Sequence, residues 1–379
     1  MSKLLSIKLG ELGKVSMCKR VLKNQTSEIG EIPFYKISTF GGEANCYISR
    51  KLFEDYRNKF SYPKKGDVLI SASGTIGKTV IFDGKEAYFQ DSNIVWIAND
   101  ESKVLNDYLY YYYQLQPWNK TTGATIERLY NENIRETIIK YPESIDEQRK
   151  IVKVLKSIDQ KINNNEEINN NLEKMARTIF DYYFMQNNDK TTIKKLNELG
   201  NLLMGQSPKS DSYNTTFDGY PLINGAYELR EKEIVINKYT SSPTRICSKD
   251  DLIFCIRATI GNLTYAEQEF CLGRGVASFT PYKKLDSEFL YFTLKDILNY
   301  YENTLTGSII VGISKDDLLN QIIHYPDDAQ IAKFHKLTLP MFEQIRKYKK
   351  ENEVLNSYKK FLLPLMLEGK INLKLKEVV

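Results

Sequence analysis

Residues 72–79 read Ala-Ser-Gly-Thr-Ile-Gly-Lys-Thr, one change away from the G-x-x-x-x-G-K-[ST] loop that cradles nucleotide phosphates. The first glycine of that loop is Ala72 here. A related stretch, Ala258-Thr259-Ile260-Gly261-Asn262-Leu263, keeps Thr-Ile-Gly but lacks both the lysine and the hydroxyl. What recurs is a turn requirement, and ATP binding is not expected of it. Other chemistry is equally hard to assemble. The only histidines are His324 and His335, so a Ser-His-Asp hydrolase or a His-ligated metal enzyme would have to rest on one of them. The five cysteines (Cys18, Cys46, Cys247, Cys255 and Cys271) are odd in number and form no C-x-x-C pair. That pattern reads as reduced cytosolic thiols and argues against structural zinc. There is no Asn-Pro-Pro-aromatic tetrapeptide and no glycine-rich cofactor loop of the G-x-G type after a strand. Glu368-Gly369-Lys370 mimics a nuclease carboxylate–lysine spacing but reads better as a helix C-cap. No catalytic residue and no metal ligand is assigned, and catalysis is expected to lie in partners.

The elements that carry these residues are written twice. Leu9-Gly10-Glu11-Leu12-Gly13 returns as Leu196-Asn197-Glu198-Leu199-Gly200, and Gly66-Asp67-Val68-Leu69-Ile70 as Asp250-Asp251-Leu252-Ile253-Phe254. Asp107–Tyr111 returns as Glu288–Phe292, Thr122–Ile126 as Thr306–Ile310, and Ile139-Lys140-Tyr141-Pro142 as Ile323-His324-Tyr325-Pro326. With the Thr-Ile-Gly turn this makes six blocks in one order. Each half opens with a region rich in Gly, Tyr, Val and Ile, with short β-like runs such as Val68–Ser71 and Leu252–Ile256. A long helical stretch follows, starting at the S-x-x-E box of Ser144 and Glu147 in the first half. Asp327 and Gln330 make the matching start in the second.

The helical stretches alternate steps of three and four. The first runs through Ile151, Leu155, Ile158, Ile162, Asn165, Asn169, Leu172, Ala176, Ile179 and Tyr183. The second runs through Ile331, Phe334, Thr338, Met341, Ile345, Tyr348, Asn352, Leu355, Lys359, Leu362 and Met366. One apolar seam per helix is a coiled-coil pattern, in which polar seam residues such as Asn165, Asn169 and Asn352 fix register. About 40 residues make roughly 60 Å of helix, so the two are expected to pair antiparallel. Pro340 should kink the second helix or break it in two. The resulting fold class is α+β: two similar globular domains separated by two long antiparallel helices forming a coiled coil, with a pseudo-two-fold internal repeat. The parts are 1–143, a helix over 144–187, a second globule over 188–326, a helix over 327–370 and a tail over 371–379.

Composition agrees. The chain has 379 residues with 42% hydrophobic and 27% charged, typical of folded domains. No apolar run approaches the ~18–20 residues that span a bilayer, and MSKLLSIKLGELGK lacks a signal-peptide core. A cytoplasmic protein that meets no membrane is expected. The net charge of +5 permits a nucleic-acid partner without proving one. It is uneven: residues 1–143 hold 20 Lys+Arg against 17 Asp+Glu, and residues 188–326 hold 15 against 17. Phosphate binding by the second globule would therefore need spatially gathered cations.

Two similar domains on an antiparallel helix pair make a ruler for two sites of fixed separation. Duplex DNA offers matching groove faces every roughly 34 Å. At this point the chain resembles the DNA-specificity subunit of type I restriction–modification systems. The resemblance rests on Ser73-Gly74-Thr75-Ile76-Gly77 after a strand, on Gly123-Ala124-Thr125 with Leu129, and on Tyr141-Pro142 with Glu147-Gln148. The closing Leu362-Leu363-Pro364-Leu365-Met366-Leu367-Glu368-Gly369 adds to it. It implies two target-recognition domains, each followed by a long helix, that bind double-stranded DNA. It also implies assembly with two methyltransferase subunits and a restriction (motor-nuclease) subunit. S-adenosylmethionine and ATP/Mg belong on those partners, and no cofactor belongs on this chain. The second copy departs by reading Arg257-Ala258-Thr259 where the first has Ser73-Gly74-Thr75.

Candidate DNA contacts are polar and basic residues of the divergent loops and of the recurrent turn. They are Lys23, Asn24, Lys36, Thr39, Thr75 and Lys78 in the first globule, and Gln206, Ser207, Lys209, Asn224, Arg257 and Arg274 in the second. Arg and Lys suit guanine edges and phosphates, and Asn and Gln suit adenine. The tyrosine run at 108 and 110–113 is expected to pack into its own domain rather than stack on bases. The competing reading is a duplicated coiled-coil scaffold that binds two protein partners and no DNA.

Overall fold

The computed structural model describes residues 3–118, 128–185, 191–230, 234–257, 259–304 and 312–371. The chain forms two units, one from Met1–Asn163 with Glu353–Val379 and the other from Asn164–Asn352. In chain order the first runs β1 (Leu4–Lys8), α1 (Leu9–Leu12), β2 (Gly13–Met17), β3 (Ile32–Tyr35), β4 (Tyr47–Ile48), α2 (Arg50–Lys59), β5 (Val68–Ser71), β6 (Thr79–Ile81), β7 (Tyr88–Phe89), β8 (Ile94–Asn99), α3 (Asn106–Tyr113), α4 (Asn131–Glu136) and β9 (Ile138–Pro142), then enters the long helix α5 (Ile145–Phe180). The inner sheet has the order β2-β8-β5-β6, all antiparallel. Side chains alternate across a strand, and here both faces are apolar. Val68, Ile70, Val95 and Ile97 face a core shared with α3 and the long helices, while Leu69, Ile94 and Trp96 face a second core. That second core lies under an outer sheet, β4-β3-β7, in which β3 and β7 are parallel. β1 pairs with β9 and closes the unit at the start of α5.

The second unit repeats the plan. It runs β10 (Thr191–Lys195), β11 (Gly200–Met204), β12 (Tyr213–Asn214), β13 (Tyr220–Ile223), β14 (Tyr239–Thr240), β15 (Ile246–Cys247), β16 (Leu252–Cys255), β17 (Leu263–Tyr265), β18 (Phe270–Leu272), β19 (Val276–Pro281), α6 (Ser287–Thr304), α7 (Lys315–Leu319), β20 (Ile322–Pro326) and α8 (Asp328–Leu367). The inner sheet, β11-β19-β16-β17, has the same order of equivalent strands, and β10 pairs with β20 as β1 does with β9. Leu252, Phe254 and Phe279 face one core and Ile253, Cys255 and Val276 the other. The outer lobes differ. In the second unit the sheet is β12-β14-β13-β18-β15, again with one parallel pair, β13 and β18. Among the described residues no counterpart of α2 stands between β14 and β15.

Both long helices contribute to both units, and within each unit they run antiparallel. In the first, Lys359 bonds Asp159 at 2.6 Å while Leu155 shares a core with Leu363. In the second, the Asn165 amide donates to Asn352 at 2.8 Å while Phe180 packs on Phe334. Of the seam positions, Ile151, Leu155 and Ile162 are buried. Ile158, Leu172, Ile179, Met341, Ile345, Leu355 and Leu362 are half-buried. Of the two outcomes expected at Pro340, a kink or a break, the break does not occur: α8 is one helix of 40 residues. Pro340 and Lys336, whose carbonyl loses its backbone donor, are both exposed. Water can take that carbonyl, so the helix continues past the proline. Asp327 caps α8 by accepting from Gln330 N at 2.7 Å. The far end stops at Gly369, whose φ of +66° makes it the left-handed C-cap residue.

Candidate nucleic-acid interface

The recurrent turn is a closed loop between two strands. Ser71 N donates to Lys78 O at 2.9 Å, Gly77 N to Ser71 O at 2.9 Å, and the Ser71 hydroxyl to Thr75 O. Gly77 has φ +77° and its repeat partner Gly261 φ +110°, which explains why glycine recurs at this position. The strand β6, not a helix, follows Lys78, so the helix N-terminus that a phosphate-binding loop requires is missing. Lys78 Nζ donates instead to Phe40 O at 2.6 Å. Thr75 is exposed at the tip. Lys36 and Thr39 lie half-buried in the loop after β3, closed by Lys36 N donating to Thr39 Oγ1 at 3.2 Å. Three further side-chain hydrogen bonds lie here. Ser73 Oγ bonds Asn93 Oδ1 at 2.9 Å, Gln90 Oε1 accepts from Ile37 N at 2.9 Å, and Arg128 donates to Ser92 O at 2.9 Å.

In the second unit the corresponding surface surrounds residues 273–275. Gln206 N donates to Leu272 O at 2.8 Å, Gly275 N to Asn224 O at 3.0 Å, and Ile256 N to Gly275 O at 2.9 Å. Arg274 N donates to Ser207 Oγ at 3.3 Å. Gln206, Ser207, Asn224, Arg257 and Arg274 are thereby gathered from four loops. Arg257, Arg274, Gln206 and the neighbouring Lys209 are exposed. The result is a polar surface with two arginines and two amide side chains, the donor set that major-groove base edges accept. Lys23 and Asn24 lie apart, exposed in a short turn beside α2, where Gln25 donates to Tyr56.

Residues 1–174 and again 188–356 match the type I restriction modification DNA specificity domain. The chain belongs to that family of specificity subunits. It is 27% identical over 336 residues to a putative type I restriction enzyme MjaX specificity subunit of Methanocaldococcus jannaschii, covering 82% of this chain and 79% of the relative. A shorter stretch of 149 residues is 60% identical to a putative type I restriction enzyme specificity subunit of Haemophilus influenzae, 39% of this chain and 38% of that relative. The fold is also that of a crystallised type I restriction–modification S subunit from M. genitalium, with TM-score 0.58, 16% identity and 96% of both chains covered. Specificity subunits of this family are generally non-catalytic.

Other readings of this specificity-subunit chain resolve locally. The tyrosine helix α3 packs inward. Tyr108, Tyr111 and Tyr113 are buried, and the hydroxyls of Tyr108 and Tyr111 donate to Lys140 O and to Asp159 at 3.0 and 2.8 Å. Burial pushes the thiols of Cys18, Cys247 and Cys255 up to about 12, so none is a poised nucleophile. Among the described residues no group of three His, Cys, Asp or Glu could hold a metal, and no helix is long and apolar enough to cross a membrane. Gly123–Thr125 and Thr306–Ile310 lie outside the described residues. Gln90, Asn93, Arg128 and the exposed Tyr227 were not singled out from the sequence, because no repeat or motif marks them. They become neighbours of the interface only through pairings such as β3 with β7.

Proposed function

We propose that the chain reads an asymmetric bipartite DNA target, one half with each unit, and docks two methyltransferase subunits and a restriction subunit. The observation that carries the reading is that one inner sheet order is built twice, each time with a different outer lobe and a different set of polar loop residues. Identical scaffolds with unlike reading loops suit two unlike half-sites. Lys36, Thr39 and Thr75 face one half in this reading, and Gln206, Ser207, Lys209, Asn224, Arg257 and Arg274 the other, with Lys23 and Asn24 at the first lobe's edge. Exposed apolar side chains on the long helices and just beyond α5 support protein docking. Met175 and Tyr182 belong to the second unit, and Tyr358 and Phe361 to the first. The chain itself carries out no methylation or cleavage, and S-adenosylmethionine and ATP/Mg act on the partners.

The test is a salt series. The complex with its methyltransferase should retard one bipartite duplex, with log Kd rising linearly in log salt as phosphate contacts demand. The duplex is the motif found by sequencing host methylation with and without the gene. Tight association with the methyltransferase but no preference for any bipartite duplex would favour the scaffold reading instead. The same exposed helix residues would then serve protein partners alone.

A further inference from the structure

Position 78 and its repeat partner 262 hold different residues that make one contact. Lys78 Nζ donates to Phe40 O at 2.6 Å, and Asn262 Nδ2 donates to Leu229 O at 2.8 Å. Both sit at the end of the recurrent turn, where their own carbonyls accept from Ser71 N and Cys255 N at 2.9 and 3.0 Å. Both acceptors lie in the loop that leaves the strand engaged in the outer sheet's parallel pair, β3 in one unit and β13 in the other. Phe40 and Leu229 are also the buried apolar residues that seat these loops, at 4% and 0% exposure. Two unlike side chains, one charged and one neutral, thus do the same work in lobes that otherwise differ. The shared feature is a donor to a loop carbonyl, not a positive charge.

The loops held this way carry candidate readers, Lys36 and Thr39 in one and Asn224 with the exposed Tyr227 in the other. Glu228 closes the second loop by accepting from Asn224 N and Gly225 N at 3.3 and 3.2 Å. In the first, a Cβ on Gly41 (φ +73°) would come within 2.9 Å of Lys78 Cε, so glycine at 41 is what lets the ammonium approach.

We propose that Lys78 and Asn262 are positioning residues for specificity, each pinning one reading loop to the recurrent turn of its own unit, rather than residues that contact DNA. The proposal rests on the DNA-reading function above. It replaces the expectation of a direct DNA contact by Lys78.

The experiment uses the full chain in complex with its methyltransferase. Methylation rates are measured on the methylome-defined duplex and on every single-base change in both halves. Lys78→Met, which removes the donor, should lower discrimination in one half-site by about ten-fold, within the range one base contact supplies. It should leave the other half-site and the slope of log Kd against log salt unchanged. Asn262→Leu should do the same to the opposite half-site. Gly41→Ala should reproduce Lys78→Met by displacing the lysine, and Lys78→Arg, which keeps a donor, should restore the wild-type profile. A direct phosphate contact predicts a different result for Lys78→Met, namely uniform weakening across all sequences and a slope reduced by about 1. That result, an unchanged profile, or equal loss in both halves would overturn the proposal. If the wild-type complex prefers no duplex at all, the DNA-reading function itself fails, and the variants are not needed to show it.

Discussion

At the scale of single residues, the glycines of the recurrent turn separate two reasons for being glycine. A Cβ on Gly77 would lie 2.2 Å from Gln116 Oε1 and 2.5 Å from Trp118 Nε1, besides the cost of φ +77°. A Cβ on Gly261 would have Glu302 Oε2 as its nearest neighbour, at 3.1 Å, the movable end of a side chain. Gly77→Ala should therefore destabilise its unit by about 3 kcal/mol, strain plus overpacking. Gly261→Ala should cost about 1–2 kcal/mol, from backbone strain alone. Urea midpoints of the two variants decide this, and equal shifts would contradict it. The sequence marked both glycines by their recurrence, but not this difference, because Gln116 and Trp118 reach Gly77 only through the packing of α3. A similar case is the turn before β5 and β16. Gly66 (φ +95°) holds it in one unit and Asp250 (φ +70°) in the other, donating to Phe82 O and Ala266 O. The Gly-Asp and Asp-Asp pairs were legible as a repeat, whereas the strain at Asp250 was not.

At the scale of elements, the helix pattern was the most legible feature, since a 3-4 repeat survives whatever the helix packs against. The polar seam residues have a measurable role. Asn165 is fully buried and donates to Glu351 and Asn352 at 2.9 and 2.8 Å, yet its own Oδ1 has no hydrogen-bond partner among the described residues. Removing one side of a buried polar contact costs more than removing both. Asn165→Leu should lower stability by about 1 kcal/mol, and Asn165→Leu with Asn352→Leu should recover it, a coupling of about 1 kcal/mol. Strict additivity in a double-mutant cycle would refute that. Glu173 on the same helix gives a pH prediction. Burial alone would lift its carboxyl, but Lys295 at 2.6 Å, the Tyr291 hydroxyl at 2.8 Å and nearby Lys349 together hold it below the ordinary 4.5. Its stabilisation is thus present above pH 4.5 and is lost as pH falls through the lowered value. Glu173→Gln should be less stable than wild type near neutrality, with the gap narrowing below about pH 4.5. The strands of the outer lobes were not legible, because pairs of only two residues such as Tyr47–Ile48 and Tyr239–Thr240 carry no periodicity. They exist through non-local partners.

At the scale of the whole molecule, the first unit is completed by the end of the chain. Leu363, Met366 and Leu367 are buried in the core formed by Val68, Ile70, Val95, Tyr108 and Leu155. The Tyr108 hydroxyl lies 3.4 Å from Leu367 O. A block that reads in sequence as the close of the second half therefore supplies core to the first. The repeat alone does not reveal this, because self-similarity says which segments are alike and not which of them touch. The consequence can be tested. Each buried Leu or Met cut to Ala costs about 2–5 kcal/mol, against the roughly 5–15 kcal/mol that holds a domain together. Changing Leu363, Met366 and Leu367 to Ala together should unfold much of the first unit. Amide exchange would then accelerate in Val68–Ser71 and Ile94–Asn99, far from the substitutions in sequence, while Leu252–Cys255 and Val276–Pro281 stay protected. Phe334→Ala, at a site packed on Phe180, Phe184 and Phe292, should loosen the second set of strands and spare the first. Loss of protection in both units from either change would mean that the cores do not stand separately.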